Sequence, residues 1–244
     1  MDKITLAAED LARKFRTDNG YSTSEPIIIK TLLTKLRILT MYRPLSENAY
    51  GLSTHSADKE DKFILVNSSS YRGRQHFTVA HELYHLYIDE NPRPHICRKD
   101  GKKDRTEMMA DAFASALLMP QEGVIKAIPN EEIVNRNVSL ATVFSLEQYF
   151  RVSHQSMLYR LKRLGLISED TLQSMLAIKI REVAPQYGIF DMSLYEKGNE
   201  NVILSDYGIR AKSLFDKEKI SESHYNQLMK LISNGEENED SSRF

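Results

Sequence analysis

Apolar residues recur at helical spacing in two early stretches, 4–16 and 27–38, and predict a helix over each. The next stretch, 45–58 (LSENAYGLSTHSAD), is polar and turn-rich and reads as a connection. The run Lys62-Phe-Ile-Leu-Val-Asn67 is short, apolar and β-branched, which predicts a strand followed by a loop over 68–74. From Phe77 to about Ile88 the pattern is helical again. Residues 91–105 hold two prolines and a glycine and read as a loop, and a helix over about 105–118 ends at Pro120. Between 139 and 164 two short helical patterns flank Arg151-Val-Ser153, and Gly165 stands where a helix C-cap is expected. A helix opened by Ser168-Glu-Asp closes near Pro185, 185–201 reads as irregular, and two more helices follow. The last has Ser221 as N-cap, with Tyr225, Leu228, Met229 and Ile232 at i, i+3, i+4, i+7. The acidic tail after Gly235 reads as disordered.

Composition narrows the class. The 244 residues suffice for a core without disulfides, and the single cysteine, Cys97, excludes both an internal disulfide and a multi-cysteine zinc finger. The 33 basic residues nearly cancel the 34 acidic ones, so any contact with nucleic acid or membrane must come from a local patch. No apolar run is long enough for a membrane span, and the charged N-terminus lacks the apolar core of a signal peptide, so the expected compartment is the cytoplasm.

One motif carries chemistry: His81-Glu82-Leu83-Tyr84-His85. Residues four apart on a helix point the same way, so His81 and His85 can place two ring nitrogens on one divalent ion. Glu82, rotated by about 100°, falls beside that ion, where a base acting on water belongs. Zinc fits such a donor set, which needs a third protein ligand. Glu107, 22 residues after His85, is the candidate. Glu107, Ala110, Asp111 and Ala114 form one helical stripe whose alanines allow close approach, and Asp111 is placed to accept the free N–H of a ligand histidine. The competing reading of Glu107 is a capping box with Asp104, and that of Asp111 is a solvated helix acid. Tyr71, His76 and Tyr84 lie near the motif and are carried as candidates for oxyanion stabilisation or cleft lining.

Phe77-Thr-Val-Ala-His-Glu-Leu-Tyr-His85, preceded by Ile64-Leu-Val-Asn67 and Arg74, resembles the ImmA/IrrE family of zinc-dependent metallo-endopeptidases. So does Glu107-Met-Met-Ala-Asp-Ala-Phe-Ala114, followed by Leu117-Leu-Met-Pro120. The resemblance is strong over about 60–120 and weaker over 139–167. It implies that the helix bearing Glu107 supplies the third ligand. Tyr84 departs from the family pattern, where glycine is typical, and a bulky residue there narrows or lines the cleft. Strand 62–67 would offer a sheet edge to an extended substrate, or serve as an ordinary core strand.

Residues 139–164 resemble a helix-turn-helix. Met157, Leu158, Leu161 and Leu164 would face inward, leaving His154, Gln155, Tyr159, Arg160, Lys162 and Arg163 outside. Such a basic face could touch DNA weakly, and the competing reading packs the pair on the peptidase core with that face solvated. The loop 91–105, six basic residues against two acidic, is a solvated loop or a recruiting surface, and Cys97 within it reads as passive.

The expected fold is α+β: a mostly helical, zincin-like metallopeptidase core with a small β-sheet over 1–125, a helix-turn-helix-like segment over 126–168, a C-terminal helical region over 169–235 and a disordered tail over 236–244. The expected function is Zn2+-dependent endopeptidase, with His81, His85 and Glu107 on the metal and Glu82 as base. The family resemblance implies cleavage of a helix-turn-helix transcriptional repressor, which would derepress a mobile-element or stress programme. Two alternatives stay open: a DNA-binding regulator with a structural zinc site, and a toxin–antitoxin or phage-defence partner that acts by binding.

Overall fold

The computed structural model describes residues 2–90, 95–98 and 104–236. The chain is α+β and mostly helical, with one small mixed sheet. In chain order the helices are α1 (Lys3–Asp18), α2 (Ile29–Lys35), α3 (Arg72–Tyr87), α4 (Arg105–Leu118), α5 (Gln121–Lys126) and α6 (Asn130–Asn135). They continue with α7 (Leu140–Phe150), α8 (His154–Arg163), α9 (Glu169–Leu176), α10 (Ile180–Val183), α11 (Tyr207–Asp216) and α12 (Glu222–Glu236). The strands are β1 (Leu39–Arg43), β2 (Ala49–His55), β3 (Lys62–Asn67), β4 (His95–Arg98) and β5 (Ile203–Leu204). Among the described residues no helix is long and apolar enough to cross a membrane.

The chain divides into two compact units. One comprises Ile28–Ser70, Glu90–Gly101 and Lys197–Phe244 and holds the sheet, in the order β4-β2-β3-β1-β5. β1 runs parallel to β3, and the other pairs are antiparallel. Asn67 fixes the β1–β2 connection: its side chain donates to the Ala49 carbonyl at 2.6 Å and accepts from the Leu45 and Ser69 amides.

Several sequence expectations are corrected in this unit. The helix expected over 27–38 is confined to Ile29–Lys35, and the chain then enters β1. The stretch 45–58 contains β2, whose inward positions are the small residues Ala49, Gly51 and Ser53. Strand 62–67 forms as expected, but it is paired on both sides and presents no edge; the edges are β4 and β5. Residues 95–98 of the expected 91–105 loop form a strand, and the rest of that loop up to 103 lies outside the described residues, as does the tail from 237.

The other unit comprises Met1–Ile27, Tyr71–Asp89 and Lys102–Glu196. Here α4 packs between α1 and α3. The seam is aromatic: Phe15 of α1 meets Phe113 of α4 and Tyr87 of α3 edge-on, with ring centroids 5.8 and 5.6 Å apart. The α7–α8 pair forms at the expected positions. Ser139 and Ser153 cap the two helices, and Arg151 ends α7 in the left-handed region at φ 53°. Val143, Phe144, Phe150, Met157, Leu158 and Leu161 fill its core. Two residues expected outside are inside. His154 and Arg160 are buried, because each meets partners that helical periodicity cannot reveal. The helix opened by Ser168 stops at Leu176, and α10 is a separate short turn.

Candidate metal centre

α3 brings three polar side chains into a helix that is buried around most of its circumference. Val79, Ala80 and Leu83 are core residues, and His81, Glu82 and His85 are each at most 4% exposed. Polar groups so placed need partners. Those of the two histidines come from α4 and from the chain just past the end of α3.

α4 starts at Asp104, whose carboxylate accepts from the Glu107 amide at 2.9 Å. Glu107 therefore sits in the first turn, where the helix dipole favours a carboxylate. Its side chain turns to α3 and not back to the cap. Glu107 Oε2 lies 3.3 Å from His81 Nε2, and Oε1 lies 3.3 Å from His85 Nε2. The two Nε2 atoms are themselves 3.3 Å apart. Ala110 and Ala114, both fully buried, allow the close approach of the helices.

The Nδ1 atoms are fixed separately. His81 Nδ1 donates to Asp111 at 3.0 Å and His85 Nδ1 to Asp89 at 3.1 Å. A carboxylate accepts only, so each Nδ1 carries a proton, and each Nε2 would offer its lone pair to a cation held between the rings and Glu107. Asp89 was not anticipated. It lies beyond the last helical residue, where an acidic side chain is disfavoured by the dipole, and its spacing of four from His85 is the signal that could have found it.

The donor set fits a divalent cation. Ligands at about 2.0–2.1 Å in a tetrahedral arrangement stand about 3.3 Å from one another; the two Nε2 atoms are at that separation, and each stands 3.3 Å from a different oxygen of the Glu107 carboxylate. Glu82 stands beside these donors: a carboxylate oxygen lies within 4.8 Å of a His81 ring nitrogen.

The remaining candidates are placed elsewhere. Tyr84 turns its ring into the helix seam, 5.8 Å from Phe113 and edge-on to His85. His76 Nδ1 lies 2.8 Å from the Arg151 carbonyl, about 140° around α3 from His81. Burial there and the nearby charges of Arg151 and Arg72 lower its pKa. Tyr71 is the N-cap residue of α3, about 15 Å along the axis from His81, with Arg181 over its ring. Neither joins the cluster.

The helix-turn-helix-like pair carries its own polar network. Buried Glu147 accepts from His154 Nδ1 and from the Tyr195 hydroxyl, both at 2.6 Å, and His154 Nε2 donates to the Met175 carbonyl at 2.9 Å. Burial opposes the charge on His154, but Glu147 and the Met175 carbonyl outweigh it and the pKa is raised. Burial and Glu147 push the Tyr195 phenol well up. Arg160 is inside, and Lys162 pairs with Glu169 at 3.2 Å.

Comparison with known proteins places residues 33–162, just over half of the chain, in a peptidase family described as the IrrE N-terminal-like domain. The "Uncharacterized immunity region protein 2" of Bacillus phage phi105 is 23% identical over 139 residues, covering 56% of this chain and 80% of that protein. A solved structure described as a Mycobacterium tuberculosis transcriptional regulator aligns with a TM-score of 0.41 at 18% identity, over 63% of this chain. The chain spans less than half of that structure's length, 46%.

Proposed function

The chain belongs to the IrrE N-terminal-like family of metallopeptidases, and from that premise we propose that it is a zinc-dependent endopeptidase. The observation that carries the reading is the pair of Nε2 atoms 3.3 Å apart, each 3.3 Å from an oxygen of the Glu107 carboxylate, with Glu82 beside them. Three donors and an adjacent buried carboxylate favour a catalytic site with an open position over a closed structural one.

His81, His85 and Glu107 would hold the ion. When bound, zinc supplies Lewis acidity toward water and toward the scissile carbonyl. The chain's own residues do the rest. Asp111 and Asp89 keep the Nδ1 protons and so keep both Nε2 lone pairs aimed inward. Glu82 takes the proton of the attacking water and delivers it to the leaving amine nitrogen. Its burial keeps bulk water from competing for that proton.

The proposed substrate is a helix-turn-helix transcriptional repressor, whose cleavage would derepress a mobile-element or stress programme. The phage relative described as an immunity region protein supports that direction. A peptidase with an intact Glu82 also fits better than a partner acting by binding alone, which has no use for a base there. The test is to co-express the protein with a helix-turn-helix repressor and to sequence any new N-terminus. A single chelator-sensitive cut is expected. An intact repressor with fully metallated protein would remove the substrate assignment.

A further inference from the structure

α4 carries Glu107 and Asp111 near its start, and its axial position sets how they meet α3. Contacts of 3.3 Å from each ring to the Glu107 carboxylate tolerate little slip when one residue of helix is about 1.5 Å of rise. Two buried guanidinium groups grip the other end of this helix. Arg16 of α1 donates to the Leu117 carbonyl and also to the carbonyls of Ser22 and Glu25. Arg160 of α8 donates through Nε to the Met119 carbonyl at 2.8 Å. The last carbonyls of a helix have no partner within it, and cations there are favoured by the dipole. Burial lowers Arg16 to about 10, which leaves it charged at neutral pH.

Arg160 does more than cap. Its two Nη atoms grip both carboxylate oxygens of Glu9 on α1, with Nη2–Oε2 at 3.1 Å. One side chain thus ties α8, α1 and the end of α4 together. The start of α8 is anchored to α3 as well: a Cβ on Gly73 would fall 2.7 Å from the Ser153 amide nitrogen, and His76 contacts the Arg151 carbonyl. The helix-turn-helix-like pair therefore touches the first turn of the histidine helix and the last turn of the glutamate helix.

We propose that this pair is the buttress of the metal centre and that Arg160 is its positioning residue, setting the axial register of α4 and hence of Glu107. The inference rests on the metal-centre reading above and assigns Arg160 a task other than contact with DNA.

The test uses full-length Arg160→Gln, Arg160→Lys and Glu9→Gln, with Arg163→Gln as an exposed control. Three quantities are read in each: zinc affinity by chelator competition, the visible absorption of the cobalt-loaded protein, and thermal unfolding. Arg160→Gln is expected to lose about tenfold in zinc affinity and to shift the cobalt bands, because a displaced Glu107 changes the ligand field. Arg160→Lys should recover part of both, and Arg163→Gln should match wild type. Glu9→Gln keeps the side chain's size and should show a smaller shift of the same kind, and it decides the matter if Arg160→Gln does not fold. Wild-type affinity and wild-type cobalt bands in these variants, with only the melting temperature lowered, would overturn the proposal and leave the metal reading intact. A wild-type protein that takes up no zinc would remove the metal reading itself and this inference with it.

Discussion

Asp111 Oδ1 lies 3.0 Å from His81 Nδ1, while the Nε2 of the same ring faces Glu107. The acid thus holds the Nδ1 proton and the ring's orientation without belonging to the donor set. Asp111→Ala should weaken zinc retention by about 10–100-fold, the usual cost of losing such a partner. Asp111→Asn keeps an acceptor and should lose less. Chelator competition measures both, and wild-type affinity in Asp111→Ala would show that the contact does not tune the ligand.

The ligands themselves should behave differently from their supports. Purified protein is expected to carry about one equivalent of zinc. His85→Ala should lose it, and Glu107→Gln should hold it much more weakly. Elemental analysis decides, and full zinc in His85→Ala would refute the ligand assignment.

One contribution to stability should fade as the pH is raised. The charged and titratable groups facing His154 are Glu147 and, through it, Tyr195, with the Met175 carbonyl on the other ring nitrogen. Burial works against the imidazolium, but these partners raise its pKa above the ordinary 6.5. The folded chain then holds the proton more tightly than the unfolded chain does. The contribution is complete below 6.5 and fades as the pH climbs through the raised value. His154→Gln should cost about 3 kcal/mol at the acidic end of that window and flatten the decline. Denaturant unfolding at several pH values tests this, and parallel profiles for the two proteins would contradict it.

Gly73 is a packing constraint. It sits in the first turn of α3, and a methyl group there would meet Ser153 backbone atoms at 2.7 and 2.9 Å. Backbone yields less readily than a flexible side chain, so Gly73→Ala should destabilise by about 1–3 kcal/mol. Chemical denaturation measures the change, and an unaltered midpoint would mean that the α3–α8 contact is loose.

The parts of this molecule that were legible in the sequence are those whose signal is local. His81, Glu82 and His85 are fixed by a five-residue motif on a regular helix, and the α7–α8 pair announces itself by serine caps and a 3.6-residue rhythm. β2 was not legible, because Ala49, Gly51 and Ser53 on its inner face give no hydrophobic alternation. β5, two residues long, pairs with β1 and carries no local signal of its own. Arg160 and His154 were read as surface because polar residues are outside by default. Glu9, 151 positions from Arg160, reverses that for the first, and Glu147 and Tyr195 reverse it for the second. Asp89 was missed because it follows the helix end and only the folded chain brings it to His85.

Glu82 separates binding from chemistry. It is buried beside His81 and is not in the group of His81, His85 and Glu107, so Glu82→Gln should keep the fold and the zinc. The amide cannot accept the water's proton, and losing a positioned base typically costs about 10²–10⁴ in rate. The decisive measurement pairs zinc per chain with the rate of cleavage of a co-expressed repressor, for wild type and Glu82→Gln. The account predicts equal zinc and a rate lower by that factor, with uncleaved repressor retained on the variant. Equal zinc and an equal rate would contradict it.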